Sequence, residues 1–199
     1  MTRVRPLGDD EIGDLAEVFA PTLKVLGFVP NSQRVMAYKP ELLRAFAGLV
    51  RAVFSVEEGS ISPALRTMVS HAASLAAGCM YCVAHTGATG GIVGMDEKKI
   101  AAVWEFETSP LFDEAERAAL RFAQAAAAVP NMVTDADFED LRKHYTDFQI
   151  VEIVGVIATF GFLNRWNDTM ATTLEEEPIE YAERVLASNG WTAGKHVED

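Results

Sequence analysis

The sequence predicts an all-α protein, and three observations predict it. Apolar residues recur at the helical period. No run alternates apolar and polar residues between turn formers, as a half-buried strand would. Helix-start and helix-stop residues punctuate the chain throughout. The 199 residues suit a single all-α domain over 1–199, with half-units at about 20–95 and 96–175 and a C-terminal helix and tail at 176–199.

A first helix is expected from residue 9 or 10 to just before Pro21. A second helical region covers residues 32–54 and breaks at Pro40. Ser62 is an N-cap with Pro63 at the first helical position, and that helix should stop near Gly78. Further helices are expected over residues 96–104 and 113–128, with Pro130 closing the latter. Thr134-Asp135-Ala136-Asp137 opens the next. Thr146-Asp147-Phe148-Gln149 has the form of a capping box ahead of a long apolar helix. A last helix covers residues 178–188, stopped by Asn189-Gly190, and the tail over 191–199 is expected to be loose.

Composition bounds the partners. Apolar residues make up 49% and charged residues 23%, as in ordinary globular proteins. The formal net charge of -12 repels nucleic acid and anionic membrane surfaces, so neither is expected as a partner. The basic start at Arg3 and Arg5 runs into Asp9-Asp10-Glu11, where a secretory signal needs an apolar stretch. The longest apolar run, residues 150–163, is too short to span a bilayer and carries Glu152. A cytoplasmic location is expected. There are only two cysteines, three apart. A disulfide-stapled secreted fold would scatter more, so this pair points to chemistry.

The chain also shows signs of an internal two-repeat duplication. Val29-Pro30-Asn31 recurs as Val129-Pro130-Asn131, and residues 67–85 align without a gap on residues 152–170. Gly78 then falls on Leu163, Cys79 on Asn164, Tyr81 on Trp166 and Cys82 on Asn167. Chance is the competing account, because helices rich in small apolar residues align easily. If Asn164 caps a helix in the second copy, Cys79 occupies the cap in the first. Cys82 is then the third residue of the new helix, where free amides and the helix dipole favour a thiolate. The three-residue spacing lets the two sulfurs join as a disulfide, and His85, three residues on, can exchange a proton with Cys82.

Two other readings compete for these residues. Two cysteines on a helix can be small core residues, but C-x-x-C with a histidine three residues later is a more specific pattern. A Cys2His2 zinc set from His71, Cys79, Cys82 and His85 has the ligand types zinc prefers. Against it, His71 lies eight residues before Cys79, across the turn at Gly78. A zinc site is therefore not expected. Glu152, among Ile150, Val151, Ile153 and Val154, either faces solvent or is buried with a raised proton affinity. Tyr81 and Trp166 read as packing residues, His71 as a core histidine, and His144, His196, Arg165 and Asp168 as surface groups.

Ser62-Pro63-Ala64-Leu65-Arg66 leading to Gly78-Cys79-Met80-Tyr81-Cys82-Val83-Ala84-His85-Thr86 resembles the carboxymuconolactone decarboxylase superfamily, in the branch of alkyl hydroperoxidase D and peroxidase-related proteins. The resemblance implies the alkyl hydroperoxidase D-like helical fold and a homo-oligomer. It implies a peroxide as substrate, with Cys82 attacking and Cys79 resolving to a disulfide, a dithiol donor protein or small thiol as reductant, and no metal or organic cofactor. Two departures stand out. The family's histidine is usually four residues after the second cysteine, where this chain has Thr86. Its proton-relay glutamate falls at Thr67. Glu152, in the corresponding place of the second repeat, is the expected replacement. The catalytic set is thus Cys82, Cys79, His85 and Glu152. A lactone decarboxylase and a non-catalytic redox-sensing oligomer remain as alternatives.

Overall fold

The computed structural model describes residues 2–197, which form ten α-helices, four short 3-10 turns and no strand. The helices are α1 (Ala16–Leu26), α2 (Asn31–Met36), α3 (Pro40–Phe54), α4 (Pro63–Ala77), α5 (Met80–Ile92), α6 (Glu97–Ala101), α7 (Glu114–Ala127), α8 (Asp135–Leu141), α9 (Asp147–Met170) and α10 (Glu176–Val185). Helix α4 lies in the middle, packed on α5, α7 and α9. Helix α10 covers α5, and the N-terminal α1–α3 lean on the far side of α9.

Local signals set most boundaries. The Ser62 hydroxyl accepts the Leu65 amide at 3.1 Å, and Gly78, at φ 70°, ends α4 in the left-handed conformation that suits glycine. Asp96 caps α6, and Asp113, Thr134 and Thr146 form capping boxes with Glu116, Asp137 and Gln149.

The structure corrects three expectations about elements. Pro21 lies inside α1 rather than beyond it. Gly13, at φ 44°, interrupts the chain early, so the α-helix starts only at Ala16 and runs on to Gly27. Asn164 caps nothing, because α9 is continuous over 24 residues. Leu163 stands where the first half has Gly78 and offers no left-handed stop. The tail is packed rather than loose. Trp191 is 7% exposed and His196 1%, and the Leu174 amide donates to the His196 carbonyl at 2.8 Å. Glu198 and Asp199 lie outside the described residues.

The core is built from small and branched residues. Met68, Val69 and Ala72 of α4 meet Leu120 and Ala123 of α7 and Ile153 and Val156 of α9, all almost fully buried. At 24 residues, with a mean hydropathy of 1.4, α9 is long and apolar enough to cross a membrane. Here it serves as a core helix of the bundle, although Val151, Val154 and Phe162 remain exposed.

Candidate active site

The site starts from a break in the chain. After Gly78, Cys79 is extended (φ -88°, ψ 94°) and acts as the N-cap of α5, its Sγ accepting the Cys82 amide at 3.4 Å. Cys82 is therefore the third residue of α5. Its Sγ lies 2.8 Å from that of Cys79, and both thiols are free. Cys79 is 0% and Cys82 2% exposed.

Burial reverses the expected electrostatics. It pushes the Cys82 thiol well above the ordinary thiol range, and the hydrogen bond and charge of Cys79 push it further. Only the Asn167 side-chain amide, donating at 3.5 Å, works the other way. A thiolate taken out of water loses more than the first-turn amides return, and the nearest of those amides is already engaged by Cys79.

His85 has a carboxylate partner, but it is Glu175. The His85 Nε2 lies 2.6 Å from the Glu175 carboxylate, and the imidazole stacks on Tyr81 at 4.4 Å between ring centroids. Glu175 also accepts the Tyr81 hydroxyl at 2.9 Å and the Asn31 amide. Burial alone would raise this carboxyl. The charge and hydrogen bond of His85 and backbone N–H donors outweigh it and hold the group below the usual carboxylate range. Burial and the Glu175 charge push the Tyr81 hydroxyl well up, so it stays a donor.

Glu152 stands apart from the thiols. Its carboxylate pairs with the Arg66 guanidinium and accepts the Ile61 amide at 2.8 Å. Arg66 is 2% exposed and also donates to the Val53 carbonyl. The group thus fastens the loop between α3 and α4. Asn167, which touches Cys82, is fifteen residues further along α9, roughly 22 Å away at 1.5 Å per residue. The two halves do not bring Glu152 to the site. His71 bonds Thr86 at 2.7 Å and is pushed down to about 4 by burial. Among the described residues, no three His, Cys, Asp or Glu side chains converge as a metal site.

A cavity of about 740 Å³ lies over the motif. Cys82, His85 and Tyr81 form part of its floor, and Phe46, Phe54 and Phe160 are among its apolar walls. Glu17, Val25, Arg44 and Arg51, all exposed, stand at its rim. Thr67, Ser70 and Thr159 also line it, but each hydroxyl donates to a carbonyl of its own helix, at 2.8 to 3.0 Å. The wall is mostly apolar, with Gln33 and Asn167 among its polar lining. Cys79 does not line this cavity. It belongs to a buried cluster that includes Leu174, Leu186 and Trp191, whose indole N–H donates to the Met80 carbonyl at 3.1 Å.

Sequence reasoning missed Glu175 and the contact of Asn167 with Cys82. Glu175 opens the acidic run 175–177, just before the helix expected from 178, and nothing in the local sequence marks it as the partner of a histidine ninety residues earlier.

The chain is similar to known proteins over most of its length. The model of the carboxymuconolactone decarboxylase family matches residues 40–125. A solved structure, a cysteine-to-alanine variant of the debrominase Bmp8 in complex with 2,3,4-tribromopyrrole, is 34% identical over 93% of this chain and 98% of that one, with a TM-score of 0.86. The chain belongs to the carboxymuconolactone decarboxylase family. Within the family it has the alkyl hydroperoxidase D-like fold. A peroxidase-related protein from Ralstonia eutropha JMP134 is 28% identical, covering 88% of this chain and 94% of that one, with a TM-score of 0.76. The uncharacterized protein YnjA of Escherichia coli K12 is 30% identical over 110 residues, 55% of this chain and 60% of YnjA.

Proposed function

We propose that this family member is a thiol-dependent peroxidase that reduces organic hydroperoxides with the Cys79/Cys82 pair. The observation that carries this is the one-sided placing of the thiols: their sulfurs are 2.8 Å apart, and only Cys82 opens on the cavity. His85, one turn along α5, lines the same cavity and is the group placed to take the Cys82 proton. The Cys82 thiolate attacks the outer peroxide oxygen and the O–O bond breaks. The alkoxide leaves as the alcohol with a proton from His85, and Cys82 becomes a sulfenic acid. Cys79 attacks that sulfur, water leaves and the disulfide closes. Glu175 positions His85 and balances its charge. We read the protein as a cytoplasmic homo-oligomer.

A second reading is reductive dehalogenation. It is favoured by the apolar, aromatic-walled cavity and by the Bmp8 complex with a brominated pyrrole. The pair would take the halogen as a cation, a proton would replace it on carbon, and the disulfide and a halide would result. One experiment separates the two. Cumene hydroperoxide and 2,3,4-tribromopyrrole are each supplied with dithiothreitol, and peroxide loss and bromide release are followed. Peroxide turnover that vanishes in Cys82→Ser is expected. Undiminished turnover in that variant removes both readings, and bromide release without peroxide loss selects the second.

A further inference from the structure

Sulfur exchange at a disulfide needs the attacking thiolate to approach in line, behind the sulfur it bonds to. The two sulfurs here differ in what lies behind them. Cys82 faces the cavity of about 740 Å³, which is walled by Phe46, Phe54 and Phe160. Cys79 is 0% exposed and does not line this cavity; it lies in a buried cluster that includes Leu174, Leu186 and Trp191, the last with its indole fixed by a hydrogen bond to the neighbouring Met80 carbonyl.

We infer that the oxidised pair is reopened only at Cys82, through the substrate cavity, by a low-molecular-weight thiol rather than by a folded donor protein. This rests on the dithiol reading above and names its reductant. The step balances as follows. A small thiolate bonds to the Cys82 sulfur, the bond between the two cysteine sulfurs breaks, and Cys79 leaves as a thiolate that takes a proton. A second thiol then attacks the small-molecule sulfur of the mixed disulfide. The donor leaves as its own disulfide, and Cys82 is again a thiol. Two electrons pass from two donor thiols to the pair. Because one cavity serves both half-reactions, substrate and reductant exclude each other.

The test starts from protein oxidised chemically with diamide, so it does not depend on peroxide turnover. If the pair forms a disulfide with diamide but not with cumene hydroperoxide, the proposed substrate is wrong and the inference is still tested. Reduction is followed with dithiothreitol, reduced glutathione and reduced thioredoxin at equal thiol concentration. The small thiols should be faster than thioredoxin by roughly a hundredfold. The glutathione mixed disulfide, quenched early and mapped by mass spectrometry, should sit on Cys82. Trp191→Ala, checked for a cooperative melt, should raise the thioredoxin rate about tenfold by opening the cluster around Cys79. A mixed disulfide on Cys79, or thioredoxin matching the small thiols on the unaltered protein, overturns the inference.

Discussion

The Glu175 carboxylate receives hydrogen bonds from His85, Tyr81 and the Asn31 amide, which joins the loop before α2 to the motif helix and to the start of α10. Glu175→Gln keeps the shape and removes the charge. Turnover should fall about tenfold to a thousandfold, the range for a disturbed acid–base group, and the pH optimum should move. Stability carries a second signature. The folded carboxyl is held low, so its contribution is present above the ordinary carboxylate range and is lost as pH falls through the folded value. Melting temperature on the acid side should therefore drop more steeply in the unaltered protein than in the variant. The Cys82 thiol, raised by burial, should be alkylated slowly by iodoacetamide at neutral pH. Its rate should still be climbing above about pH 9.5, a unit past the ordinary thiol pKa, where a free thiol has levelled off, and Asn167→Leu should slow it further. The cap role of Cys79 was reached through an alignment with Asn164, which caps nothing; what sets the cap is Gly78 just before it, and the place of Cys82 then follows from the spacing. The high proton affinity was not legible in the sequence, because it comes from what packs on the motif.

At the scale of elements, α4 and α9 carry three ionisable groups, Arg66, His71 and Glu152, to which the proposed chemistry gives no part. Glu152→Gln leaves the Arg66 guanidinium buried without its counter-charge, which should cost about 3 to 5 kcal/mol. Turnover at saturating substrate should persist; a loss of rate with an unchanged melt would return Glu152 to the catalytic set. His71, between α4 and α5, is held neutral by burial down to about 4. The unfolded chain binds its proton near 6.5, so stability should rise with pH across that window, by up to roughly 3 kcal/mol. Denaturant titrations of the unaltered protein and His71→Gln at pH 4.5 and 7 test this; an equal pH dependence in both would rule it out. Helix starts were legible here because capping residues act over three positions. The missing break in α9 was not, because the alignment matched Asn164 to Cys79 while passing over Leu163, which lacks the glycine that forms the turn.

For the molecule as a whole, the net charge of -12 repels itself in the compact state. Raising salt from about 20 mM to about 500 mM should screen this and raise the melting temperature by a few degrees, as calorimetry can check. The all-α class and nearly every helix were readable from the chain. The cavity was not, because its walls come from α1, α2, α3, α4, α5 and α9, which meet only in three dimensions. The same holds for the packed tail, since nothing in residues 191–197 says what Trp191 would cover. One local detail reaches further than its size. A sulfur atom serves as the cap of α5, so closing the Cys79–Cys82 bond alters the acceptor that holds the Cys82 amide in the helix's first turn. Deuterium uptake at that amide should then track the electron count of the pair, making that single turn a built-in gauge readable without any substrate.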